Sequence, residues 1–141
     1  MYSHLKDEAA QSGIEKIRVS AIVRQKNRIL LLEKPVKRGG FSGEYELPVT
    51  LVKEGETIQQ ALQRALIEEV RLEIKDVVAY LGHYDEGKVR DYYFVVLVHS
   101  PSSAQAIRHI ACAWVDIGEA VGYPISNHLR QTLDLFAKLV S

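Results

Sequence analysis

At 141 residues and 47% hydrophobic content, the chain has the size and composition of one domain with a substantial buried core. Eighteen Lys and Arg offset eighteen Asp and Glu, so there is no electrostatic case for broad nucleic-acid or anionic-membrane binding. No apolar run is long enough to span a bilayer and no signal-peptide pattern opens the chain, so the cytoplasm is the expected location.

Residues 1–13 are polar and predict a loose helix or arm. From Lys16 to Gln25 the chain alternates around Ile17, Val19, Ala21 and Val23; Lys26-Asn27 then turns the chain into Ile29-Leu30-Leu31-Leu32, which together predict a hairpin. Lys34, Lys37 and Arg38 surround Gly39 and Gly40 in the following loop, where they can meet phosphate oxygens or simply face water. Gly43 leads to Tyr45-Glu46-Leu47-Pro48, a short strand and loop. Thr57 and Gln60 have the form of a capping box, and from there to about Arg71 the residues Ile58, Ala61, Leu62, Ala65, Leu66 and Val70 recur at helical spacing. Two strands follow, Val77 to His83 and Tyr92 to His99; the second is nearly all apolar and reads as covered on both faces. Its Tyr92, Tyr93 and Phe94 are core or base-stacking candidates. Between the strands, His83 to Lys88 reads as a polar loop. Ile107 to Val115 predicts another strand, containing His109 and, beside Trp114, the single Cys112, which reads as a small core residue rather than a nucleophile. A helical turn near Gly118 to Val121 and an amphipathic helix from about Asn127 to Val140 end the chain. Strands, helix, strands, helix predict an α/β domain with a mixed sheet between helices.

The residue that calls for a chemical explanation is Glu69, which projects through the apolar stripe of the first long helix while Glu68 leaves the stripe's edge. Paired glutamates on a helix are most often a solvated face. Burying an unpaired carboxylate costs several kcal/mol, so an inward Glu69 requires a cation, a donor or water. Glu56 lies just before the cap, near the positive end of the helix dipole, and Arg64, two turns on, can pin one or more of the acids.

These residues resemble the signature of the Nudix hydrolases: Gly, five residues, Glu, seven residues, Arg-Glu, an aliphatic, any residue, Glu-Glu, any residue, Gly, an aliphatic. Aligned on Glu56, Arg64 falls on the Arg, Leu66 on the aliphatic, Glu68 and Glu69 on the paired Glu, and Leu72 on the last aliphatic. The departures are Thr50 for the first Gly, Ala65 for the Glu after the Arg, Arg71 for the final Gly, and Val49-Thr50 for the Gly-Gly that usually follows a segment like Tyr45 to Pro48. The resemblance implies an α/β/α sandwich over most of the chain. It also implies a divalent cation, Mg²⁺ or Mn²⁺, held by Glu56, Glu68, Glu69 and the main-chain carbonyl of Val49.

The activity implied is hydrolysis of a diphosphate bond in a nucleoside diphosphate linked to another group, with Glu68, Glu69 and Arg64 in the catalytic centre and Lys34 and Arg38 facing phosphate. Ala65 removes a carboxylate that is a metal ligand and, in some members, the general base. Because other members take their base from a loop outside the box, Glu86, Asp85 and His83 are the replacements to weigh. The alternative is a non-catalytic Nudix fold that binds a nucleotide or a protein. Many members are dimers, so a homodimer is open. Neither the loop at 83–88 nor that at 100–106 carries a recognisable substrate reader.

Overall fold

The computed structural model describes residues 2–35 and 43–140. The elements in chain order are α1 (Ser3–Gln11), β1 (Lys16–Gln25), β2 (Arg28–Glu33), β3 (Tyr45–Glu46), β4 (Val49–Leu51), α2 (Ile58–Val70), β5 (Ile74–Glu86), β6 (Val89–Val98), a 3₁₀ turn (Pro101–Ser103), β7 (Ala111–Asp116), α3 (Ile117–Ala120) and α4 (Asn127–Val140). The strands join one mixed sheet. β1 is parallel to β6 and antiparallel to β2 and β4, while β5 closes one side against β6, and β3 and β7 both pair with β2.

The pleat sorts the core into two layers. Val19, Ala21 and Val23 of β1 and Tyr92, Phe94 and Val96 of β6 face α2, where Ile58, Leu62, Leu66 and Val70 meet them. The intervening Ile22, Tyr93 and Val95 face α4, packing against Leu129, Leu133 and Phe136. This is an α/β/α sandwich, and it follows from strands that are apolar on both faces lying between two helices with one apolar stripe each. No helix among the described residues is long and apolar enough to cross a membrane.

Three local expectations change. The first residues are not loose: α1 buries Leu5 and Ala9, Tyr92 Oη donates to the Leu5 carbonyl at 2.6 Å, and Lys6 Nζ donates to the Glu56 carbonyl. The polar stretch after His83 is mostly strand. β5 runs to Glu86 and β6 begins at Val89, so the turn is only Gly87-Lys88, with Gly87 in the left-handed region at φ 61°.

The strand expected from Ile107 begins only at Ala111. Residues 107–109 leave the sheet because Ile107 N donates to the Glu69 carbonyl of α2, and the chain returns to β2 at Ile110, whose N donates to the Glu33 carbonyl. The β-branched Ile107 and Ile110 imitated a strand, yet both side chains are exposed. Cys112 and Trp114, further on, are partly buried against the core.

Candidate active site

Helix α2 sets the site. Thr57 caps it in a complete capping box, its hydroxyl accepting from Gln60 N while Gln60 Oε1 accepts from Thr57 N. With the start fixed, Ile58, Leu62 and Leu66 lock the helix rotation against the sheet, and Ala65 and Glu69, one turn apart, are buried, Glu69 at 8% exposure. The helix ends at Arg71 in the left-handed conformation, φ 59°, ψ 37°, donating back to the Ile67 carbonyl. That is the conformation glycine adopts most cheaply, so Arg71 fills the signature's final Gly position at a backbone cost of about 1 kcal/mol.

Arg64 organises the solvent side of this helix. Its Nε and Nη2 donate to the two oxygens of Glu56 at 2.9 and 3.0 Å; Nη1 donates to Glu68 Oε1 at 3.0 Å and to Thr50 Oγ1 at 2.9 Å; and Nη2 also reaches the Leu51 carbonyl at 2.7 Å. Thr50, which stands where the signature has its first Gly, is thus absorbed into the arginine's hydrogen-bond network. The Arg64 hydrogen bonds pull the Glu56 carboxyl down to about 2 and lower that of Glu68 as well. Both Glu56 oxygens are therefore occupied, leaving this residue to anchor Arg64.

Glu69 has a different environment. Burial raises its carboxyl above the ordinary carboxylate range despite nearby His109 and Arg108. His109 Nδ1 lies 3.2 Å from Glu69 Oε2 without hydrogen-bond alignment, and both atoms are buried without a hydrogen-bond partner. On its other side His109 Nε2 donates to Glu46 Oε2 at 2.7 Å, tying β3 to α2. Arg108 reaches Glu68 Oε2 at 3.1 Å and approaches Glu69 Oε1 at 4.0 Å. The sequence placed His109 within a strand; instead it sits in the irregular segment before β7, directed at the acids.

Beside these carboxylates opens a cavity of about 460 Å³ between β1, β3, β6 and the start of α4. Glu46 and Val49 belong to its wall, so it adjoins the acid cluster. Its sheet side carries Arg18, Ser20, Asp91 and Tyr93; Ser20 Oγ donates to Asp91 Oδ1 at 2.9 Å, and burial pushes the Asp91 carboxyl up to about 6. The sequence reading missed Asp91, although Arg90-Asp91 heading an apolar strand is a signal of a buried charge.

Of the sequence candidates, Glu56, from before the start of α2, and Glu68, from its last turn, meet at Arg64, with Glu69 beside Glu68 in that turn, while Val49, Lys34 and Glu86 line the cavity. Asp85 is committed to Arg90 at 2.7 and 2.9 Å, and His83 lies against Tyr80 and the Tyr92 ring. Arg38 and Lys37 fall outside the described residues. Val49 pairs with Ser20 in the β4–β1 ladder.

The NUDIX domain family matches residues 15–136. The chain belongs to the Nudix family. Its fold is similar to that of the Escherichia coli ORF135 protein, with TM-score 0.76 and 26% identity over 93% of this chain and 94% of that one. A Nudix hydrolase from Nitrosomonas europaea aligns with TM-score 0.71 and 22% identity, over 87% and 88% of the two chains. The MutT protein from Methanosarcina mazei Go1 aligns with TM-score 0.67 and 19% identity, over 89% and 95%. No curated protein matches the sequence. The acid cluster on α2 lies within the matched residues, and Nudix hydrolases generally use a divalent metal.

Proposed function

We propose that this Nudix chain is a slow, divalent-cation-dependent hydrolase that cleaves a diphosphate bond in a nucleoside diphosphate linked to another group. The observation that carries the reading is the link through His109: a cavity large enough for a nucleotide fragment has Glu46 in its wall, and His109, which donates to Glu46, lies 3.2 Å from Glu69 of α2.

The donor set fits Mg²⁺ or Mn²⁺ of the kind held by one or two carboxylates plus substrate oxygens and water. Glu69 Oε2 is an anionic oxygen buried without a hydrogen-bond partner, and Glu68 Oε2 lies on the same helical turn. Position 65 supplies no oxygen. Among the described residues no three acidic, His or Cys side chains converge closely enough to enclose a metal, so the protein's share of the ligation falls to Glu69 and Glu68, with the Val49 carbonyl a further oxygen. A cation there neutralises diphosphate charge and acidifies water.

The remaining work belongs to the chain's own groups. Arg64 positions Glu68 and, through Thr50 and Leu51, the strand that carries Val49. Lys34 and Arg18 bring positive charge to the cavity for phosphate oxygens, and Arg38 is a further phosphate contact on the sequence reading. Glu86, on the cavity wall, is the group we assign to take the proton of the attacking water at its carboxylate.

A second reading, a Nudix fold that binds its ligand without hydrolysing it, is favoured by one observation: Ala65, where the family has a working carboxylate, is buried one turn from Glu69. Restoring the acid separates the two. With Mg²⁺ and a panel of nucleoside diphosphate sugars, dinucleoside polyphosphates and dinucleotide cofactors, Ala65→Glu is expected to raise the initial rate by roughly 10²-fold over a detectable native rate. A native rate of zero with activity only in the variant favours the binding reading. An unchanged, substantial native rate means that Glu86 fully replaces the carboxylate missing at position 65 and that the native enzyme is not slow.

A further inference from the structure

The segment at 104–110 is laid directly across the acids of α2. Three backbone hydrogen bonds fasten it: Gln105 N to the Val70 carbonyl at 3.0 Å, Ile107 N to the Glu69 carbonyl at 3.1 Å, and Ile110 N to the Glu33 carbonyl at 3.1 Å. The first two use carbonyls of the last helical turn, which have no partner within the helix, so the segment caps the end of α2 that bears Glu68 and Glu69. Its two basic side chains then meet the carboxylates, Arg108 at Glu68 Oε2 and near Glu69 Oε1, and His109 between Glu69 and Glu46.

We propose that 104–110 is an autoinhibitory strap, in which Arg108 and His109 occupy the carboxylates of the box and must withdraw before a divalent cation is taken up. The inference rests on the reading of Glu68 and Glu69 as the cation's ligands.

The two contacts differ in what withdrawal demands. Arg108 is 63% exposed along its side chain and can swing into solvent by rotating about its own bonds. His109 is 7% exposed, enclosed between β3 and α2, and its ring leaves Glu69 only if the backbone on either side moves. Cation uptake therefore loosens the amides that pin the strap, those of Gln105 and Ile107. The arrangement also offsets the charge of the acid pair: positive charge from Arg108 lies at contact distance from Glu68 and within 4.0 Å of Glu69, where the attraction is least screened.

The test is Mn²⁺ binding by electron paramagnetic resonance on the full chain, native against Arg108→Gln and His109→Asn. It is paired with amide hydrogen exchange of the native chain with and without Mg²⁺. Arg108→Gln alters an exposed side chain and keeps the fold testable if the buried His109→Asn does not. The expected result is Mn²⁺ affinity at least tenfold higher in Arg108→Gln than in the native chain, and faster exchange at Gln105 and Ile107 when Mg²⁺ is added to the native chain. Equal affinities with unchanged exchange overturn the strap while leaving the cation site in place. Weaker Mn²⁺ binding in His109→Asn also overturns it, because His109 is then a ligand and not a competitor. No Mn²⁺ binding by any of the three chains overturns both the strap and the cation reading beneath it.

Discussion

Glu69→Gln is expected to lower Mg²⁺-dependent hydrolysis on the order of 10²- to 10⁴-fold, the scale set by losing several kcal/mol of cation-derived charge stabilisation. The substitution keeps the shape of the side chain, so Leu66 and Val70 retain their packing. It removes the negative charge that burial disfavours. Because the Glu69 carboxyl is raised in the folded chain, folding favours its protonated form, and the ionised form present at neutral pH is a cost to stability. The thermal midpoint of Glu69→Gln is therefore expected to stay level or rise while turnover collapses. Steady-state rates and a melting curve on the same sample check both halves, and a variant that loses both activity and folding would make Glu69 a structural residue.

Arg64→Ala carries the largest expected loss of stability. The guanidinium makes hydrogen bonds to Glu56, Glu68, Thr50 and the Leu51 carbonyl, and Glu56 keeps only 14% of its side chain exposed. Removing the cation leaves the Glu56 carboxylate with no charged partner in this network and only the Lys53 amide donating to it at 3.0 Å, at a cost of about 2–3 kcal/mol after allowance for the solvent that reaches the pair. For a domain of this size that is a fall of roughly 6–10 °C in melting temperature. The loss has a pH signature whose sign is fixed by Glu56. Its folded carboxyl is depressed to about 2 from an ordinary 4.5, so its contribution is complete above about 4.5 and disappears as pH falls towards 2. Urea midpoints across that interval should converge, with native and Arg64→Ala chains differing most at the upper end. A constant difference at every pH would assign the stabilisation to Arg64's neutral partners, Thr50 and Leu51.

What the sequence disclosed and withheld follows from the range of the forces involved. α2 and α4 were legible, α4 to the residue, because a 3.6-residue apolar stripe and a capping box are local signals. Glu69 was legible for the same reason, as the one acid inside a stripe. The β1–β2 hairpin was equally plain, since alternation and a two-residue turn determine each other.

Residues 107–110 were not legible. Their exposed isoleucines are β-branched and favour strand, and what draws the segment off the sheet is the bond from Ile107 N to the Glu69 carbonyl, tens of residues away. The position of His109 depends on that same bonding, and a lone histidine in an apolar stretch carries no local sign that it lies between two carboxylates. α1 was undervalued because its anchors, the Tyr92 hydroxyl on the Leu5 carbonyl and Lys6 on the Glu56 carbonyl, join residues 87 and 50 positions apart. The motif's departures also acquire distinct physical meanings. Thr50 joins the Arg64 network and Arg71 bears a left-handed backbone, so those two substitutions leave the acid cluster assembled; Ala65 alone subtracts from its chemistry.

The central claim, that the acids of α2 hold a divalent cation for diphosphate cleavage, is tested most directly by metal removal. The native chain would be given the nucleotide substrate panel in Mg²⁺, then excess EDTA, then excess Mg²⁺ again, with the phosphate-bearing products resolved by chromatography. We expect slow cleavage at a diphosphate bond in the first condition, its loss in the second and its return in the third. Cleavage that continues unchanged through EDTA would contradict the account.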